Sequence, residues 1–238
     1  MNRIAFLWIF LFVAASRESL FSTGLNGPVT ACSIINVQDT LKNNQSLYTG
    51  RVWSNKYHRI DGDQFLFADY FLPGTVSING KMFRNLMLRY DIHNDELMIP
   101  ASREEILQLN KEMIDSFSLR FENKTYKFSN IRNDSINGLT GYYNVLYHQQ
   151  SALYIKYRKE ISPNITDESD GEFIQTHITY LVKDNVPYKI KTRNNLYRAL
   201  NADIHQIRNY LKNDRLKISK KTPESYVPVI RFCDNLKQ

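Results

Sequence analysis

Asn79-Gly80, set between two alternating runs, constrains this chain's fold more than any other feature of its sequence. An Asn-Gly pair accepts two consecutive positive φ angles at little cost, which a two-residue hairpin turn matched to sheet twist requires. Thr75-Val76-Ser77-Ile78 alternates polar and apolar before the pair, and Met82 to Tyr90 returns after it as a partner strand. Asn94-Asp95 turns the chain again and Glu96 to Ile99 follows, so Thr75 to Ile99 is expected to form a three-stranded antiparallel meander.

The same texture runs from Tyr48 to Tyr188. Gln64 to Phe71 reads as an aromatic-rich strand ending at a Pro73-Gly74 turn. Glu105 to Leu109, Met113 to Phe121 and Lys124 to Phe128 read as strands, the last two joined at Glu122-Asn123. Tyr142 to His148 and Leu153 to Arg158 form a hairpin through Gln149-Gln150-Ser151, and Phe173 to Val182 pairs with Tyr188 to Lys191 across Asp184-Asn185. Tyr and Phe, at 15 and 13 residues, favour strands over a helical bundle.

The period then changes. Leu196, Leu200, Ile204, Ile207 and Leu211 mark one face of an amphipathic helix, divided at Asn201-Ala202-Asp203 with Asp203 as a cap. Thr222 and Pro223 read as N-cap and first residue of a final helix, which Val227, Ile230 and Leu236 would seat on the body. The expected fold is α+β: mainly antiparallel β-sheet in meanders and hairpins, with a small helical C-terminal region. Residues 1–15 form a leader, 16–47 a lead-in, 48–191 the β body, and 192–238 a helical end packed on it as one unit.

Met1 to Ala15 carries Arg3, then the apolar run IAFLWIFLFVAA, then Val13-Ala14-Ala15 with small side chains at the positions a signal peptidase reads. A membrane-spanning helix needs about 20 apolar residues, so the run reads as an export signal cleaved near Ala15. Export makes nucleic acid a poor partner, despite a formal net charge of +7. That charge is concentrated. From Lys183 to Lys221 eleven Lys and Arg face three Asp, a net +8, and Lys212, Arg215, Lys217, Lys220 and Lys221 form a basic patch suited to peripheral contact with anionic lipid. Cys32 and Cys233 stand near the two ends of the exported chain. An oxidising compartment permits one long-range disulfide between them, and two separate buried thiols are the alternative.

Asp91, His93 and Asp95 alternate, and on a continuing strand they would share a face and could bind a metal. The Asn94-Asp95 turn spoils that alignment, so no metal and no cofactor is expected. There is no Gly-x-Ser-x-Gly elbow, no His-Glu-x-x-His and no phosphate loop, and no catalytic residue stands out.

Two stretches carry a resemblance. Gly74 to Phe83 (GTVSINGKMF), continuing through Asn85 to Ile92 and Asn94 to Leu97, and the tail from Asp203 to Asn213 are similar to a group of exported, uncharacterised proteins of Bacteroidota bacteria, in which such a hairpin precedes a lysine-rich helical end. The resemblance implies a cell-envelope setting, periplasmic or at the outer membrane, and brings no activity and no functional residues. The expectation is a non-enzymatic binding or structural protein with an envelope protein, glycan or lipid as partner. A carrier of an apolar ligand in a β-lined cavity is the alternative, and a glycan or peptidoglycan hydrolase the third reading.

Overall fold

The structure is a computed structural model that describes residues 47–132, 138–163 and 169–236. Turn chemistry builds the sheet. Asn79 and Gly80 sit at φ 49° and 79°, Glu122 and Asn123 at 46° and 61°, Asp184 and Asn185 at 52° and 60°. Each pair closes a tight hairpin: β3 (Leu72–Ile78) with β4 (Lys81–Asp91), β7 (Ile114–Phe121) with β8 (Lys124–Ile131), and β11 (Gly171–Lys183) with β12 (Val186–Lys189). β5 (Glu96–Pro100) follows β4, which completes the meander the sequence announces. β1 (Gly50–Val52), β2 (Ile60–Asp61), β6 (Ile106–Leu109), β9 (Gly141–His148) and β10 (Ser151–Ser162) complete a mainly antiparallel sheet. Its order is β1-β6-β5-β4-β3-β7-β8-β9-β10-β11-β12, with β2 parallel on β11.

The sheet curls until β10 meets the end of β4. The Lys159 amide donates to Ile92 O at 3.4 Å, and His93 Nδ1 lies 2.8 Å from Lys159 O. The strands between enclose an aromatic core. Phe117 and Phe128 stack 4.6 Å apart, and Tyr90 meets Phe117, Phe128 and Tyr142 edge-on at 5.2, 5.3 and 5.6 Å.

A second core lies under the helical end. α1 (Arg193–Leu200), α2 (Ile204–Asn213) and α3 (Val227–Asn235) bury Leu196, Leu200, Ile207, Val229 and Ile230 against Tyr147, Leu153 and Leu181 of the β9–β11 hairpins. Asn201 ends α1 in the left-handed region and Asp203 caps α2 by accepting the His205 amide, so the expected division of this helix is present. The buried Asp234 carboxylate ties α3 to the β9–β10 turn, accepting from Ser151 Oγ at 2.7 Å, the Ser151 amide at 3.0 Å and Tyr147 OH at 3.1 Å.

Four local expectations are corrected. Gln64 to Phe71 is not a strand: it makes one bridge, Phe65 to Asp91, and Phe67 turns to φ 70° so that its ring stacks on Phe121 at 4.9 Å. Pro73-Gly74 lies inside β3, not in a turn, because β7 runs so close that a Cβ at Gly74 would strike Ser118 O. Just beyond, Arg84 and Asn85 of β4 oppose Thr75 alone, a bulge with Asn85 at φ 55°. Pro223–Tyr226 is a 3₁₀ turn that Thr222 does not cap, and Leu236 is exposed where Val229 and Cys233 face the body. Residues 1–46, which include the leader, most of the lead-in and Cys32, lie outside the described residues, whereas Cys233 is buried in the second core.

Valine at Gly80 should destabilise the fold by about 1–2 kcal/mol in urea unfolding, the strain of a β-branched residue at positive φ. Asparagine there should cost clearly less; equal losses would contradict the turn geometry.

Candidate functional site

The turn from β4 to β5 builds a site by dividing two carboxylates, Asp91 and Asp95, that stand four residues apart in the sequence. Asp91 is fully buried and folds back on its own turn. Its Oδ1 accepts the His93 and Asn94 amides at 2.9 and 2.8 Å, and its Oδ2 accepts Asn94 Nδ2 at 2.8 Å. This holds the chain so that Asp95, at φ 60°, points the other way, toward β9 and β10.

Asp95 carries most of the local chemistry. Its Oδ1 accepts Tyr90 OH at 2.5 Å and Lys156 Nζ at 2.7 Å; its Oδ2 accepts Lys111 Nζ at 2.5 Å and the Tyr142 amide at 3.3 Å. Lys156 also donates to Tyr142 O at 3.1 Å and lies 5.0 Å over the Tyr143 ring. Gly141 makes the approach possible. It stands at φ 91°, and a Cβ there would collide with Asp95 Oδ2 and crowd Lys156 Nζ.

Burial pushes Asp95 up, but the Lys156 charge and the bonds from Lys111, Lys156 and Tyr90 outweigh it and hold the carboxyl below its ordinary value. Burial pushes the Lys156 ammonium down, an effect the Asp95 charge only partly offsets. Asp91 goes up through burial, against the bonds from Asn94 and His93. Two neighbouring carboxylates with pKa values moved apart is the pattern of an acid–base pair. Here neither is available: Asp91 has no exposed surface, and both oxygens of each carboxylate are engaged.

His93 goes a third way, with its ring against Tyr57 and Phe173 at 5.1 and 5.3 Å and its Nδ1 on Lys159 O. Asp91, His93 and Asp95 therefore do not converge on a common point, and no group of three or more His, Cys, Asp or Glu among the described residues is arranged to hold a metal.

Above the network lies an open cleft of about 370 Å³, lined by Ile92, His93, Asp95, Thr140, Lys156, Arg158, Lys159 and Glu160. Lys159 is spent on Asp63, at 2.9 Å from Oδ1, while Arg158 is exposed and makes no ion pair among the described residues. Across the same turn a second cleft of about 410 Å³ is walled by Arg51, Asn94, Glu96, Gln108 and Lys111.

The basic residues named from the sequence lie elsewhere. Lys212 is in the last turn of α2, and Arg215, Lys217, Lys220 and Lys221 are in the loop to α3. All five are exposed and none has an ion-pair partner among the described residues. Sequence reasoning named Asp95 as a ligand and missed Lys111 and Lys156. One available signal was Gly141, a glycine opening a strand in a chain with only nine glycines.

No protein-family model, no curated protein and no solved structure matches this chain. No helix among the described residues is long and apolar enough to cross a membrane.

Asp95→Asn should lower stability at pH 7 by about 3 kcal/mol, because it leaves two lysines without their counter-charge. The sign with pH follows from the lowered Asp95 value. Its contribution is complete above the unfolded value of 3.8 and is lost as pH falls through the lower folded value. Urea unfolding should therefore show the gap between wild type and variant closing in acid; a gap constant from pH 7 to pH 2 would contradict the assignment.

Proposed function

We propose that the chain is an exported, non-enzymatic binding protein of the bacterial envelope, and that its cleft above Lys156 takes an anionic group, the carboxylate or phosphate of an envelope glycan. The observation that carries this reading is a charge imbalance: one carboxylate, Asp95, is shared by two lysines, one of which is only 7% exposed. A desolvated ammonium with half a counter-ion gains most from an anion that brings its own hydrogen-bond acceptors. Arg158 at the rim adds an exposed cation able to make a bidentate contact.

The filled interior supports a surface binder over a carrier. A carried acyl chain needs an apolar cavity of about 300 Å³ or more, whereas the space inside the curl is occupied by Tyr90, Phe117, Phe128 and Tyr142 in ring contact. A hydrolase would need an accessible acid–base pair, and Asp91 and Asp95 are both committed to the fold.

Titration calorimetry with galacturonate oligomers and with inorganic phosphate tests the reading. Arg158→Gln should weaken binding roughly tenfold, the loss of one charge-assisted contact, with Arg103→Gln as the unchanged control. No heat with either ligand, or no effect of Arg158→Gln, would refute it.

A second contact is favoured by the five unpaired cations around the end of α2, which suit the headgroups of anionic lipid. Lys212→Glu combined with Lys217→Glu should reduce co-sedimentation with phosphatidylglycerol vesicles at low salt. Unchanged partitioning would remove that contact.

A further inference from the structure

β11 has an open stretch along its outer edge. β2 covers only Gly171 and Glu172, and β12 covers only Tyr180 to Lys183, with one further bond from the Ile190 amide to Thr179 O at 2.8 Å. The direction of that last bond fixes the parity. In an antiparallel strand the N–H and C=O of one residue point to the same side. Thr179 turns its backbone outward, so Gln175 and His177 do too, while Ile174, Thr176 and Ile178 turn theirs to β10. The outward groups of Gln175 and His177 have no partner among the described residues.

Such an edge is normally guarded by proline, lysine or a bulge. Between Phe173 and Ile178 there is none of these; the register with β10 is unbroken and Ile174 is 44% exposed. The two ends of the gap are firm. Arg59 holds Asp170 through two bonds of 2.9 Å beside β2, and at the other end β12 runs into α1. Where β12 leaves, a cleft of about 230 Å³ is lined by His177, Ile178, Thr179, Lys189, Ile190, Lys191 and Lys220. The three lysine side chains are exposed and carry no ion pair among the described residues. Glu224, an acid close enough to His177 to interact with it, is taken by Lys124 at 2.6 Å.

We infer that this edge binds the C-terminal end of an extended peptide, which adds as a short strand parallel to β11 with its terminal carboxylate among Lys189, Lys191 and Lys220. Length selects a chain end. The gap spans six residues, about 20 Å at 3.3 Å per residue. A second copy's β11, thirteen residues long, would run into β2 or β12. Direction selects the carboxylate. β2 runs parallel to β11, and a strand continuing its line finishes at the lysines. Backbone bonds to Gln175 and His177 would supply sequence-independent affinity, and the lysines would select the free terminus.

The test is an array of hexapeptides anchored through their N-termini, each present with a free carboxylate and as the amide, probed with the full chain. Free-carboxylate peptides should bind at least tenfold more strongly than their amides. Lys189→Gln, Lys191→Gln and Lys220→Gln combined should remove that preference. Gln175→Pro removes one outward N–H and no bond to β10, so it should abolish binding with an unchanged circular dichroism spectrum. Hydrogen exchange of the Gln175 and His177 amides should slow at least tenfold when a captured peptide is added. Equal binding of acids and amides, or binding to none, overturns the inference. Protection of those two amides without peptide also overturns it, since the edge would then be occupied by the chain itself.

Discussion

A single carboxylate closes this molecule. Asp95 gathers Tyr90 from β4, Lys111 from the turn before β7, Lys156 from β10 and the Tyr142 amide from β9, so four elements of the curled sheet meet on two oxygens. Without that junction, the end of β4 and the far half of β10 would be held chiefly by one backbone bond, the contact of His93 Nδ1 with Lys159 O and the pairing of Lys159 with Asp63. Curling lets the sheet enclose its aromatic residues instead of leaving one face to be covered by helices, and the helical end is left to cover only the β9–β11 hairpins.

The same junction gives the surface its chemistry. Two lysines on one carboxylate leave positive charge in a partly dry place, a cost in stability that persists unless an anion arrives. Asp91 contributes by withdrawing: it spends its bonding capacity on the turn and leaves Asp95 to face β9 and β10. The floor of the cleft is therefore tied into the fold's own bonds while its rim, at Arg158, is exposed, which suits the proposed anion site.

The hairpins were legible because their signals are local. Asn79-Gly80, Glu122-Asn123 and Asp184-Asn185 meet a backbone demand that the turn itself imposes, and the helix break at Asn201 to Asp203 is equally local. Gln64 to Phe71 misled because its aromatic pattern serves distant partners. Phe65 and Phe71 lie over the buried Arg89 guanidinium at 3.9 and 4.6 Å, and Phe67 stacks on Phe121. Pro73-Gly74 imitates a turn, yet its glycine answers the close passage of β7, which no neighbouring residue announces. At the site, Asp95 was visible but its partners were not. Lys111 is 16 residues away, and Lys156 sits on the alternating face of β10 like any solvated lysine until β9 and the β4–β5 turn cover it.

Amide hydrogen exchange at Lys159, read against Val76 in the middle of β3, tests the closure most directly. In the native chain Lys159 should be protected nearly as well as Val76, because the bond to Ile92 O completes the curl. In Asp95→Asn, Lys159 should lose far more protection than Val76, as the seam opens before the sheet unfolds. Protection of Lys159 that falls only in step with Val76, or that is absent in the native chain, would contradict the claim that Asp95 holds the sheet closed.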